Sequence, residues 1–178
     1  TNRLVGSEMC IRDRFIMNST YSQSFYELSI PSIENKEIKM LDFKGKYILI
    51  VNVASYCGYT SQYADLQKLS QKYPNDLVVL GVPCNQFGSQ EPLDEREIKT
   101  FCESKFSVTF PMTKKVNVKG KNQHPLYAWL TNKELNGLDN FEVSWNFNKF
   151  LINGQGDLIA YFKSGVNPLD EQIIEKVK

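Results

Sequence analysis

A chain of 178 residues, 42% hydrophobic, is long enough to bury the core of one domain without covalent staples. Its 21 basic and 20 acidic residues leave a net charge of +1, so no basic field points to nucleic acid and no acidic field to a cationic partner. Four cysteines without a CxxC pair exclude a secreted disulfide framework, a zinc ribbon and a thioredoxin-type dithiol, a single histidine (His124) leaves little for a hydrolase triad, and the longest apolar run, about eight residues, is far short of a membrane span.

Residues 1–16 do not read like the rest. Glu8 to Arg14 has no amphipathic period and no apolar core of a secretory signal. Met17, followed by Asn18-Ser19-Thr20, reads as a natural start. The expectation is an arm over 1–16, disordered or artefactual, before a single domain over 17–178. An organelle-targeting arm carried by Arg3, Arg12 and Arg14 is the alternative, opposed by Glu8 and Asp13, so the expected location is cytoplasmic.

Phe25–Ile30 and Ile38–Met40, around the polar Asn35-Lys36-Glu37, predict a β-hairpin. Tyr47–Ala54 is almost continuously apolar and predicts a fully buried strand. Ser55 to Gly58 follow as a turn, and Thr60 is placed to cap a helix carrying Tyr63, Leu66, Leu69 and Tyr73 at helical spacing. Leu77–Val82 predicts a second buried strand, completing a right-handed βαβ unit. Asp94 and Glu97 form a capping box for a helix with Ile98, Phe101 and Cys102 on one face. Val116 and Val118 predict a short strand, and Pro125 opens a helix through Leu130. Phe150–Ile152 and Leu158–Phe162 flank Asn153-Gly154-Gln155-Gly156-Asp157 as a second hairpin. Asn167 and Pro168 predict the start of a last helix with Leu169, Ile173 and Val177 on its apolar face. The order predicts an α/β fold of thioredoxin-like arrangement, a central mixed sheet with helices on both faces. Chemistry in such sheets gathers beyond the carboxyl ends of parallel strands, and Cys57 lies at one of them. A cysteine between a strand end and a helix mouth meets unpaired backbone N–H groups and the positive end of the helix dipole, which favour the nucleophilic thiolate.

Three segments carry a resemblance. Asn52-Val53-Ala54-Ser55-Tyr56-Cys57-Gly58-Tyr59-Thr60, Pro83-Cys84-Asn85-Gln86-Phe87-Gly88-Ser89-Gln90-Glu91-Pro92 and Trp145-Asn146-Phe147-Asn148-Lys149-Phe150 resemble, in family order, the three signatures of the glutathione peroxidase family. The resemblance covers about Phe25 to Lys178. It implies a peroxidatic Cys57 with Gln90, Trp145 and Asn146 around it, in the sulfur rather than the selenium branch. An indole N–H and two amides are uncharged donors that lower a thiol pKa from roughly 8.5 and stabilise charge on a leaving oxygen. Taken singly, Cys57 reads as an inert core thiol, Trp145 as core packing, and Gln90 and Asn146 as loop polars. Gln86 competes with Gln90 for the catalytic position, and Gln90 is preferred because it precedes Glu91-Pro92 as in the family.

The resemblance also implies that Cys102 is the resolving cysteine of thioredoxin-dependent members, the branch that also takes phospholipid hydroperoxides. The alternative is a buried, inert thiol on an apolar helix face. Cys84 is read as structural, and Cys10 lies in the arm. Two departures from the family pattern are Val82, where Phe is usual, and Leu93-Asp94, where Gly-Ser is usual. The implied activity is reduction of hydrogen peroxide and organic or lipid hydroperoxides through a sulfenic acid and an intramolecular disulfide, with no metal or organic cofactor. Thioredoxin is favoured over glutathione as reductant because Arg96 is the only arginine beyond the arm. Tetrameric members of the family carry an extra loop before the Trp-Asn motif, and here only Thr131–Ser144 fills that interval, so the resemblance implies a monomer. The rivals are a redox relay read by a partner and a structural metal site of Cys57, Cys84, Cys102 and His124, which lacks the usual paired spacing.

Overall fold

The computed structural model describes residues 24–177, so the arm over 1–16, with Cys10, lies outside the described residues. The first hairpin pairs β1 (Ser29–Pro31) with β2 (Glu37–Lys39), Ile30 opposite Ile38. It starts later than the apolar pattern predicts, because Phe25–Glu27 winds into a turn of 3-10 helix. The Glu27 carboxylate accepts the Ser24 N–H at 2.9 Å, and the Tyr26 hydroxyl donates to the Gly154 carbonyl at 2.7 Å. The Glu27 and Leu28 N–H groups close the turn onto the Ser24 and Phe25 carbonyls and are not available to a strand ladder.

Next come β3 (Tyr47–Val53), α1 (Gln62–Lys72), β4 (Leu77–Pro83) and α2 (Glu95–Phe106). β3 and β4 run parallel in the register Tyr47↔Leu77 to Val53↔Pro83, so the predicted βαβ unit is present. The Asp94–Glu97 capping box opens α2 as expected. Val116 and Val118 form no strand: the Val116 N–H donates to the Pro83 carbonyl, and the Val118 N–H to the Gln86 side chain. With both amides spent on the loop after β4, no ladder forms. α3 (Pro125–Thr131) starts at the predicted proline, and α4 (Lys133–Asn136) follows in the Thr131–Ser144 interval. β5 (Lys149–Ile152) and β6 (Leu158–Phe162) make the second hairpin. The last helix, α5 (Glu171–Ile174), is capped by Asp170 rather than Asn167. Asn167 instead accepts from the Leu169 N–H and donates to Asp65, so the chain turns once more before a helix can begin.

The sheet order is β4-β3-β5-β6, with β5 antiparallel to β3. β3 is buried on both faces because its side chains alternate between two cores. Ile48 and Ile50 meet α3 and the N-terminal hairpin through Leu126, Leu130, Leu28 and Ile30. Leu49, Val51 and Val53 meet α1, α2 and α5 through Leu66, Ile98 and Ile173. A mixed four-stranded sheet closed by a β-hairpin, with helices on both faces, is the thioredoxin-like arrangement expected. It puts the ends of β3 and β4, and the chain entering β5, at one edge of the molecule.

Candidate active site

Cys57 sits four residues beyond β3, in consecutive turns that lead to α1. Thr60 does not cap the helix, since α1 begins two residues later with Ser61 at the cap position. Its hydroxyl instead clamps the turn: it accepts the Cys57 N–H at 2.9 Å and donates to the Ala54 carbonyl at 2.9 Å. The Thr60 N–H adds a bond to the Cys57 carbonyl at 3.0 Å. The sulfur, partly exposed, accepts from the Tyr59 N–H at 3.4 Å. The donor aimed at the sulfur therefore belongs to the turn, not to the first turn of α1.

The second signature leaves β4 and returns to this turn. Gly88 and Ser89 both have left-handed backbones, with φ of 63° and 53°. A Cβ on Gly88 would stand 3.5 Å from both Gln90 Cγ and Trp145 Cη2, so the glycine lies between those two side chains. The Gln90 carbonyl accepts the Tyr56 N–H at 3.0 Å, which ties Gln90 to the neighbour of Cys57. Asn146 Nδ2 donates to Gln90 Oε1 at 2.9 Å. With its oxygen engaged, Gln90 keeps its two N–H donors for other use. Gln86 points elsewhere: its Oε1 accepts from the Val118 and Lys119 amides, and its Nε2 donates to the Lys119 carbonyl. Of the two glutamines, only Gln90 is bonded to the Cys57 turn and to Asn146.

The third signature is held by Asn52, the one polar side chain in β3. Its Nδ2 donates to the Trp145 carbonyl at 2.9 Å, and its Oδ1 accepts the Asn148 N–H at 3.0 Å. Phe147 takes a φ of 62°, a left-handed conformation uncommon for a bulky residue. Lys149, fully buried, supports it by donating Nζ to the Phe147 carbonyl at 2.7 Å. Burial pushes that lysine down to about 7. The Trp145 ring is 39% exposed and packs 5.9 Å from the Phe87 ring. Its indole N–H meets no acceptor among the described residues. Asn146 is fully buried, and its Oδ1 has no partner among the described residues.

The other thiols separate by face. Cys102 is buried in the same apolar cluster that Cys57 borders, and burial pushes its thiol up to about 12. Cys84 belongs to the cluster on the opposite face of the sheet, where burial also raises its pKa. His124 caps α3, accepting the Leu126 N–H at Nδ1. Cys84 and His124 therefore do not converge on Cys57 and Cys102, and no group of three or more ligating side chains suited to a metal is present among the described residues. Three supporting residues take their roles only from the folded structure. Asn52 had a signal, a polar interruption of an apolar run. Thr60 clamps the Cys57 turn where its position predicts a helix cap. Glu91 drew no role, yet it is fully buried, accepts the Ser55 hydroxyl at 2.9 Å and is pushed by burial up to about 7.

The sequence profile described as glutathione peroxidase matches residues 25–131, more than half of the chain. The glutathione peroxidase-like peroxiredoxin 2 of Saccharomyces cerevisiae is 42% identical over 153 residues, covering 84% of this chain and 94% of that protein. The hydroperoxy fatty acid reductase gpx1 of Synechocystis sp. is 41% identical over 160 residues, covering 85% and 94%. The crystal structure of Trgpx in apo form superposes with a TM-score of 0.67 at 39% identity, covering 88% of this chain and 96% of that one.

Proposed function

The chain belongs to the glutathione peroxidase family, a family of peroxidases, and we propose that it is a thiol peroxidase in which Cys57 reduces hydrogen peroxide and organic or lipid hydroperoxides. The observation that carries this reading is the chain of bonds that joins the Cys57 turn to Gln90 and Gln90 to Asn146, next to an indole with a free donor. The Cys57 thiolate attacks one peroxide oxygen. An S–O bond forms, the O–O bond breaks, and the departing oxygen takes a proton as water or alcohol, leaving a sulfenic acid. Gln90 Nε2 and Trp145 Nε1 are the donors for charge on that oxygen, and Asn146 orients Gln90. Cys102 then condenses with the sulfenic acid to a disulfide, releasing water, and an external dithiol protein of the thioredoxin type restores both thiols. No step of this cycle calls for a metal or organic cofactor.

Tyr56 and Tyr59 are 57% and 38% exposed on either side of Cys57, and Trp145 is exposed as well. This aromatic rim suits a bulky apolar hydroperoxide. None of the described helices is long and apolar enough to cross a membrane. A monomer acting in the cytoplasm completes the proposal, with sedimentation and cell fractionation as its checks.

Turnover is expected to be much faster with catalytic thioredoxin and its reductase than with glutathione, for both hydrogen peroxide and a phospholipid hydroperoxide. Faster turnover with glutathione would remove the thioredoxin reading. A redox relay would consume one equivalent and then stall. In Trp145→Phe the apolar volume stays and the N–H goes, so peroxide oxidation of Cys57 should lose on the order of 2–4 kcal/mol of barrier stabilisation. A wild-type rate of oxidation in that variant would reduce the indole to packing.

A further inference from the structure

Glu91 is wholly buried, and the peroxide step leaves it without a task. Groups from several elements face it. Ser55, two residues before Cys57, donates its hydroxyl to Oε2 at 2.9 Å. Tyr63 on α1, Cys102 on α2 and Cys84 just beyond β4 all lie within electrostatic reach of the carboxyl. Lys115 is the cation beside it, held on the Glu91 and Leu93 carbonyls at 3.1 Å and 2.7 Å. Glu91 Oε1 is buried and has no hydrogen-bond partner among the described residues, and the buried Tyr63 hydroxyl has the Cys102 thiol beside it. Buried polar atoms are ordinarily paired, so the bare Glu91 Oε1, within electrostatic reach of the Cys102 thiol, calls for an explanation.

Resolution of the sulfenic acid supplies one. Burial holds the Cys102 thiol neutral in the reduced fold, and its attack on the sulfenic acid has to release the thiol proton to an acceptor. Glu103 is exposed, forms an ion pair with Lys99 and travels with α2. His124 spends its Nδ1 on a helix cap. Glu91 is tied to the Cys57 side through Ser55 and through the bond between the Gln90 carbonyl and the Tyr56 N–H. It therefore stays with the turn that carries Cys57 when α2 loosens to deliver Cys102. We propose that Glu91 is the proton carrier of the resolving step, accepting the Cys102 thiol proton on Oε1 and passing it to the oxygen that leaves Cys57.

The step balances without an outside reagent. The Cys102 S–H bond breaks and the S–S bond forms. The Cys57 S–O bond breaks with its electron pair on oxygen, which takes the proton and leaves as water. Cys102 is oxidised, the sulfenic sulfur is reduced, and Glu91 ends as it began. A carboxyl titrating at about 7 is suited to both halves of such a transfer.

The inference rests on the resolving role given to Cys102, and the test separates the two. Single-turnover quench experiments with mass spectrometry follow sulfenic acid and disulfide formation independently over a range of pH. In the wild type the disulfide step should slow as pH falls below about 7, because a protonated Glu91 cannot accept. Glu91→Gln keeps the shape and an acceptor for Ser55, so it should slow the disulfide step by about a hundredfold at neutral pH and abolish that inflection, with a much smaller effect on sulfenic acid formation. Equal slowing of both steps, or a disulfide step within twofold of wild type, would overturn the carrier role. Should Glu91→Gln fail to fold, the wild-type profile decides: a disulfide rate that climbs only with ordinary thiol ionisation, above about pH 8.5, also overturns it. A wild type that forms sulfenic acid but no Cys57–Cys102 disulfide would sink the resolving role itself, and the carrier with it.

Discussion

Cys57→Ser is expected to abolish peroxide reduction while leaving the fold almost unchanged. A serine hydroxyl ionises far above the working range, so no comparable nucleophile remains; loss of a nucleophile of this kind costs on the order of 10³-fold or more. The structural cost should be small. The turn is held by the Cys57 N–H and carbonyl through Thr60, and both bonds survive the substitution. The sulfur lies only at the border of its apolar cluster, and its one hydrogen bond, from the Tyr59 N–H, can pass to an oxygen. A change in stability within about 0.5 kcal/mol is expected, as for other substitutions away from the core. Peroxide consumption and a thermal melt measure the two halves. Substantial residual turnover would take Cys57 out of the mechanism, and a collapse of stability would make the lost activity uninformative about chemistry.

The second large effect is at Cys102. Cys102→Ser should reduce one equivalent of peroxide at close to the wild-type rate and then stop, with Cys57 as a sulfenic acid and thioredoxin-driven cycling lost. The reduced structure explains why Cys102 does not compete for the peroxide: its thiol is almost fully buried and held neutral. A side chain packed in the core on α2 has to leave that packing before its sulfur can bond to Cys57, so disulfide formation requires local opening of the helix. The helix ends on Ser107, which takes the left-handed cap conformation without being glycine, a weaker stop than glycine provides. Serine brings a hydroxyl into an apolar site at a cost of about 1–3 kcal/mol, so Cys102→Ala serves as the companion variant. Mass spectrometry after one equivalent of peroxide reads the outcome. Continued cycling with thioredoxin in both variants would return Cys102 to the core.

Where the chain could be read, the signal was local. The unbroken apolar run of β3 marked a strand buried on both faces. Asp94 and Glu97 marked the start of α2, and the Asn-Gly-Gln-Gly-Asp turn marked the β5–β6 hairpin. The misreadings share a cause. Phe25–Glu27, Val116–Val118, Thr60 and Asn167 each have a pattern that fits one bond and a backbone that found another. Tyr26 reaches Gly154, Val118 donates to Gln86, the Thr60 hydroxyl turns back to Ala54, and Asn167 reaches Asp65. Those partners are up to 128 residues away, and propensity carries no information about them.

The family, the βαβ core and the thiol at the end of its first parallel strand are legible from the residues in order. Those depend on periodicity, turn chemistry and contiguous motifs, which are properties of neighbours along the chain. Which glutamine is bonded to the Cys57 turn depends on folding, because Gln86 and Gln90 differ only in the bonds their amides find. Folding also decided that Cys84 and Cys102 lie on opposite faces of the sheet and that Glu91 is a buried acid among the groups around Cys102. Burial and the charges nearby set the proton affinity of a thiol or a carboxyl, and both come from residues brought together by folding.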